Sequence, residues 1–423
     1  MTETPDHLFR RESGRMIATL TKIFGVQNLA LAEDVVQDAF CRALEVWKFR
    51  GLPENPSAWL MATAKNRALD VLRRERTART FAPELGRLLD SEWTLVPTIE
   101  EQFAAPAIRD DQLRMMFSCC HPRLSEEAQV ALILHILCGF SVDEIAAAFV
   151  AGRAAVEKRI TRAKKTLAAS KKLFDVTAAA DFEKRSSAVR RALYLLFNEG
   201  YHGASPESTV RAELCDEAIR LAGVLLDHPA GRTPENQALA ALMLLHSARL
   251  PSRLDASGNL VPLFEQDRSR WDQGRIRDGL RLLEISAEKG EATEFHVEAA
   301  IAALHSRARR PEDTDWKTIV TLYDALLAMR PSPVVALNRA VAVAQSEGPE
   351  RGLAEIDAIP DRERLASYPF YPAAIGELEF RLGRLDHARE SFREALALAR
   401  NPAERRFLER RIGECDASAA PDA

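Results

Sequence analysis

The sequence predicts an all-α fold, on three observations. Apolar residues recur at helical spacing along nearly every segment, Pro and Gly punctuate the intervals, and no stretch sustains the two-residue alternation of a half-buried strand. At 423 residues the chain exceeds the usual size of a single core, and 47% apolar with 28% charged residues is an ordinary globular composition, not a disordered or collagen-like one. A net charge of -4 excludes a globally basic nucleic-acid coat, so charge has to be read segment by segment. Six cysteines at irregular spacing, and an N-terminus without the basic-then-apolar order of a leader, fit a reducing compartment with no disulfide framework. His135 and His246 interrupt the longest apolar runs well short of a membrane span. The expectation is a cytoplasmic protein with no membrane partner.

Taken in order, the first informative helix runs from Ala32 to Trp47. Val35, Val36, Ala39, Phe40, Ala43 and Leu44 recur on one side, and Glu33, Asp34, Gln37 and Asp38 occupy the other. That acidic side is either a solvated helix start, where the dipole favours acids, or a docking surface for a basic partner. After a loop from Lys48 to Asn55, Asn55 is placed to cap a second helix that Pro56 opens and that reaches about Arg76. It carries Trp59 and Lys65, then Asn66, Arg67, Asp70, Arg73 and Arg74 in one stripe. Over residues 65–79 six basic residues stand against two acids. Guanidinium groups suit phosphates and an asparagine amide suits a base edge, so nucleic acid is a reasonable partner; a solubilising helix end is the plainer one.

From Phe81 to Asp111 the pattern breaks. Pro83, Pro97 and Pro106 interrupt it, and seven acids stand against Arg87 and Arg109, which reads as an extended acidic linker. The most informative stretch is Ser141 to Leu167. Ser141 and Glu144 form a capping box for a short helix through Phe149, Val150-Ala151-Gly152 turns the chain, and a second helix buries Val156, Ile160, Ala163 and Leu167. Its remaining surface carries Arg153, Glu157, Lys158, Arg159, Thr161, Arg162, Lys164 and Lys165. Residues 151–172 hold eight basic residues and only Glu157 as an acid. Cap, glycine turn and basic second helix describe a helix-turn-helix able to enter a major groove, with a plain α-hairpin as the alternative.

Beyond Asp175 the spacing suggests stacked helical hairpins. Ile319, Leu353 and Ala388 recur at steps of 34 and 35 residues, with Gly376, Gly383, Phe392 and Ala395 completing a tetratricopeptide-like pattern in the last unit. Such hairpins stack into a solenoid whose groove suits peptides. The expected organisation is therefore 1–80, an acidic linker at 81–107, a helix-turn-helix domain at 108–174 and a helical extension at 175–423. Cys119-Cys120-His121 and His135 with Cys138 do not reproduce a common zinc spacing, so no metal or other cofactor is expected. Glu199, Tyr201, His202, Asp267, Arg268 and Trp271 are candidates for a small-molecule pocket, or for polar stitching between hairpins. No phosphate loop or nucleophile elbow appears, which argues against an enzyme.

In this order the pieces resemble the extracytoplasmic-function group of bacterial RNA polymerase sigma factors. The residues that carry the resemblance are Ala32 to Phe40, then Trp59-Leu60 with Lys65 to Arg74, and Gly139-Phe140-Ser141 to Lys165. The C-terminal part is similar to a subgroup with a tetratricopeptide-like tail, at Leu196 to Tyr201, Gln266 to Trp271, Thr314-Asp315-Trp316 and Leu337 to Val341. The resemblance implies that Glu33, Asp34, Gln37 and Asp38 dock on the polymerase core at the beta-prime clamp, with the beta flap as a further core contact. It implies that the loop Lys48 to Asn55 captures a flipped minus-ten base, with Trp59, Lys65, Asn66, Arg67, Asp70, Arg73 and Arg74 around the strand. The second helix of the helix-turn-helix would read the minus-thirty-five element, and the tail would take a regulatory protein or peptide. Glu157 stands where many relatives carry a basic residue, so the preferred promoter is not transferable. A helix-turn-helix regulator with a repeat sensor that does not bind core polymerase is the rival reading, as is a pure scaffold.

Overall fold

The computed structural model describes residues 5–76, 105–149, 151–170, 179–202, 210–288, 290–399 and 401–419. Among them every regular element is helical, apart from an isolated bridge between Leu254 and Leu260. The contacts group residues 1–196 and 197–423 as two compact units.

The first unit begins with α1 (Pro5–Phe24), α2 (Leu29–Arg50) and α3 (Pro56–Arg76). Phe9 meets Phe40 edge-on at 4.9 Å between α1 and α2. The start of α3 follows its sequence signal: the Asn55 side chain accepts from the Ala58 N–H at 3.0 Å, satisfying one of the orphan donors of the first turn. The loop expected from Lys48 is shorter than its sequence suggests. α2 continues through Arg50, and Gly51, at φ 76°, ends it by donating its N–H to Trp47 O. Lys48 and Arg50 belong to that last turn, where basic side chains complement the helix dipole.

Most of the acidic linker, as far as residue 104, lies outside the described residues. Its expected end is corrected: Ala105–Cys119 is a helix, α4. Pro106 is its second residue, a position that proline opens instead of breaking. Asp111 is buried on α4 with Lys22 Nζ 2.9 Å from its carboxylate. The chain continues through α5 (Glu126–Ile136), α6 (Val142–Phe149), α7 (Arg153–Ala168) and α8 (Ala179–His202), the last running on into the second unit. Phe117 of α4 stacks on Phe182 of α8 at 4.1 Å, and Arg185 donates to Phe117 O at 2.9 Å. The helices on either side of the linker abut directly. A Cβ on Gly14 of α1 would lie 2.3 Å from Leu137 O, so only glycine lets α1 approach the turn after α5 so closely.

The second unit continues with α9 (Ala212–Asp227), α10 (Pro234–Ser247), α11 (Gln273–Ala287) and α12 (Glu294–Arg307), then α13 (Trp316–Met329), α14 (Pro333–Glu347), α15 (Pro349–Asp357), α16 (Phe370–Arg381), α17 (Leu385–Leu398) and α18 (Pro402–Ala419). α12 with α13, α14 with α15 and α16 with α17 pack as successive hairpins. Ile319, Leu353 and Ala388 fall on the second helix of each. In the last hairpin Gly376 makes room for Phe392, whose ring would lie 2.8 Å from a Cβ there.

Two histidines in this unit contribute to its response to acid. Burial, then the nearby Arg249, pushes His246 and His305 down to about 3. The unfolded chain, with histidine near 6.5, therefore takes up protons before the folded one does. The stability each contributes is complete above pH 6.5 and falls by about 1.4 kcal/mol per pH unit on acidification toward pH 3. Urea melts of the full chain at pH 7 and pH 5 should show the second unit losing stability; coincident curves would mean that these rings are not held neutral.

Candidate nucleic-acid interface

The helix-turn-helix is built locally. Ser141 N–H donates to the Glu144 carboxylate at 2.9 Å and Glu144 N–H donates to Ser141 Oγ at 3.2 Å, a reciprocal box that starts α6. α7 buries Val156, Ile160, Ala163 and Leu167. Opposite them Lys158, Thr161, Arg162 and Lys165 are exposed at offsets of zero, three, four and seven residues, one continuous stripe. None of the three cations in that stripe has an ion-pair partner among the described residues. Glu157 stands exposed beside them.

The other basic residues expected on this surface are engaged. Arg153 reaches Asp143 at 2.6 Å, and Arg159 reaches Glu127 at 2.9 Å. Lys164 is half-buried and its Nζ lies 2.7 Å from Glu33 Oε1. This corrects two expectations at once, because Glu33 does not stand on the outward acidic side of α2 and Lys164 does not stand on the open side of α7. His135 joins them: its Nε2 is 3.7 Å from Glu33 Oε1 and its Nδ1 lies 2.9 Å from Phe140 O. Burial first, and Lys164 second, push His135 below its ordinary range, which leaves the Lys164 ammonium as the cation beside Glu33.

On α2, Asp34, Gln37 and Asp38 remain exposed. Asp38 accepts from Arg67 Nε at 3.1 Å, so the expected polymerase-facing and strand-facing surfaces meet at that pair. On α3, Asn66, Arg67 and Asp70 are exposed, and Lys65 is half-buried and pushed down by burial. Trp59 packs against Trp47 at 5.4 Å between centroids. The side chains of Arg73 and Arg74 lie outside the described residues.

Two residues of the stretch Lys48 to Asn55 are not singled out within it by sequence. Phe49 is 85% exposed and Leu52 60% exposed, on either side of Gly51. Exposed apolar side chains flanking a short loop beside a cationic helix are suited to contact an unstacked base. The signal for Phe49 is an aromatic residue out of register with the α2 core stripe, which its assignment to a loop conceals. Cys119, Cys120 and Cys138 are buried. Burial pushes the Cys119 thiol well up and Cys120 to about 12. Among the described residues no three His, Cys, Asp or Glu side chains gather as a metal group, and no helix is long and apolar enough to cross a membrane.

Comparison with known proteins agrees with this layout. Residues 8–78 match the family model of sigma-70 region 2, and residues 114–167 match that of sigma-70 region 4. Residues 185–287 match a family of unknown function. An uncharacterized protein of Rhizobium meliloti (strain 1021) is 42% identical over 397 residues, which cover 93% of this chain and 92% of that protein. The RNA polymerase sigma factor CarQ of Myxococcus xanthus is 32% identical over 145 residues, 34% of this chain and 74% of CarQ. With both sigma regions in order, and with a relative among RNA polymerase sigma factors that the chain covers to 74%, the chain belongs to the sigma-70 family of RNA polymerase sigma factors.

Proposed function

We propose that the chain is an alternative sigma factor of the extracytoplasmic-function group, acting in the cytoplasm. It binds core polymerase through Asp34, Gln37 and Asp38 at the beta-prime clamp, and recognises a two-element promoter. In this reading residues 1–80 serve core binding and the minus-ten element, 81–107 connect, and 108–174 serve the minus-thirty-five element and the beta flap. The observation that carries it is the stripe of Lys158, Arg162 and Lys165, exposed and without counter-ions among the described residues, on the second helix of a capped helix-turn-helix. Unneutralised cations on such a helix suit phosphates and guanine edges. Multi-round transcription with purified core enzyme on a random promoter library tests the proposal. Enrichment of templates sharing two spaced elements supports it; output no greater than that of core alone sinks it.

Phe49 and Leu52 refine the minus-ten reading. Aromatic stacking on an extruded base is worth about 1–3 kcal/mol, so Phe49→Ala is expected to reduce strand opening by roughly 5- to 150-fold. Permanganate reactivity of the melted thymines measures this, and equal reactivity in the variant removes Phe49 from the site.

The helical extension at 175–423 is proposed to be tetratricopeptide-like and to modulate activity by taking a protein or peptide. Its support is a concave cavity of about 730 Å³ in the second unit, lined among others by Phe264, Asn338, Val341, Phe370 and Arg381. Phe264 and Phe370 are exposed in it, an arrangement that suits apolar anchors of an extended segment.

A further inference from the structure

The second unit contains a group of arginines that the sigma reading does not use. Arg249, Arg253 and Arg268 lie in the segment between α10 and α11. The Arg249 and Arg268 guanidinium carbons lie 5.5 and 4.9 Å from the ring centroid of Trp271. The Arg253 guanidinium lies 4.0 Å from the centroid of Tyr201, whose ring is 5.2 Å from that of His246. Arg253 and Arg268 are only 8% and 9% exposed, and Arg249 is half-buried.

Three guanidinium charges at such depth call for neutralisation, because burying an unpaired ion costs several kcal/mol. Among the described residues, none of the three has an ion-pair partner. Arg268 donates to His305 O at 2.9 Å, Ala308 O at 2.7 Å and Thr314 Oγ1 at 3.4 Å, all neutral acceptors. Arg249 donates to Gln266 Oε1 at 3.4 Å, again a neutral group. The nearby carboxylates are committed elsewhere: Asp267 caps through Ser269, Asp272 through Arg275, and Asp313 pairs with Arg310. The two histidines in the cluster, His246 and His305, are neutral and supply no compensating charge.

Donors are also left over. Among the described residues Tyr201 Oη, Trp271 Nε1 and Arg268 Nε are buried without a hydrogen-bond partner, and both aromatic residues are at least 95% buried. Buried polar groups almost always find partners. Glu312 and Asp313 lie near Arg268 without forming an ion pair with it. A cluster with three guanidinium charges, unused N–H and O–H donors and no paired acid among the described residues has the chemistry of an anion receptor.

We propose that Arg249, Arg253 and Arg268, with Tyr201 and Trp271, form a binding site for a phosphate-type oxyanion. The ligand is either free inorganic phosphate or the phosphoryl group of a nucleotide. Guanidinium forks match the tetrahedral oxygens, and the two neutral donors orient them without adding charge. All five residues lie in the segment matched by the family of unknown function, and the site does not depend on the sigma reading.

Calorimetric titration of the full chain with sodium phosphate, in chloride buffer at matched ionic strength, tests it. Phosphate is expected to bind with a submillimolar to low-millimolar Kd and, at about tenfold that concentration, to raise the Tm of the second unit by about 2–5 °C over chloride. Arg253→Gln, chosen because Arg253 makes a ring contact and no side-chain hydrogen bond, is expected to weaken binding at least tenfold. The milder Arg249→Lys, which keeps charge and removes the fork, is expected to weaken it several-fold, and serves if the glutamine variant does not fold. ATP in place of phosphate distinguishes the sources: tighter binding assigns the phosphoryl group, equal or weaker binding the free anion. No heat and no Tm difference between phosphate and chloride, or unchanged affinity in a folded variant, overturns the proposal.

Discussion

Asp34→Arg is expected to weaken association with core polymerase by about 10- to 100-fold, or 1.4–2.8 kcal/mol. Asp34 is exposed on α2, and its two acidic neighbours are already engaged, Glu33 with Lys164 and Asp38 with Arg67. That makes Asp34 the carboxylate of this group without an ion-pair partner among the described residues, and reversing its sign replaces attraction to a basic surface with repulsion. The effect should enter through the association rate and shrink as salt rises. The fold should be indifferent, since an exposed position far from the core rarely moves stability by more than about 0.5 kcal/mol. Fluorescence anisotropy of labelled chain against core enzyme, at two salt concentrations, reads both parts. Equal affinity with an unchanged Tm would mean that α2 docks elsewhere or not at all.

Phe117→Ala should produce the largest loss of stability, about 3–5 kcal/mol. The ring is fully buried and stacked at 4.1 Å on Phe182, with an interplanar angle of 25°. Truncation removes that stack and leaves a cavity between α4 and α8 that rigid helices close only in part. For a unit of this size the loss corresponds to roughly 6–20 °C. Calorimetry should show the first transition displaced and the second, belonging to residues 197–423, in place. A shift of less than a degree would mean that α8 does not complete the first unit.

What the sequence discloses is what short-range physics controls. Asn55 and the Ser141–Glu144 box announce helix starts because the bonds they make span three residues. The buried stripe of Val156, Ile160, Ala163 and Leu167 follows from helical period alone. Pro106 is ambiguous because proline marks both breaks and beginnings, and only the packing of the residues after it decides which. Gly51 is the better marker for the end of α2, since it closes the helix in a positive-φ conformation that other residues rarely adopt. The ion pair of Glu33 with Lys164 is not legible: the partners are 131 residues apart, and each looks outward by periodicity. Which cations stay open on α7 depends on that tertiary arrangement. The arginine cluster is legible in part: Tyr201, Arg268 and Trp271 stand out as pocket candidates by residue type, whereas Arg249 and Arg253 join them only through tertiary packing.

The link between Glu33 and Lys164 ties α2, before the linker, to the second helix of the helix-turn-helix, so that the state of one charge is felt at the other. Thermodynamic reciprocity then applies: whatever draws the carboxylate away liberates the ammonium by an equal free energy.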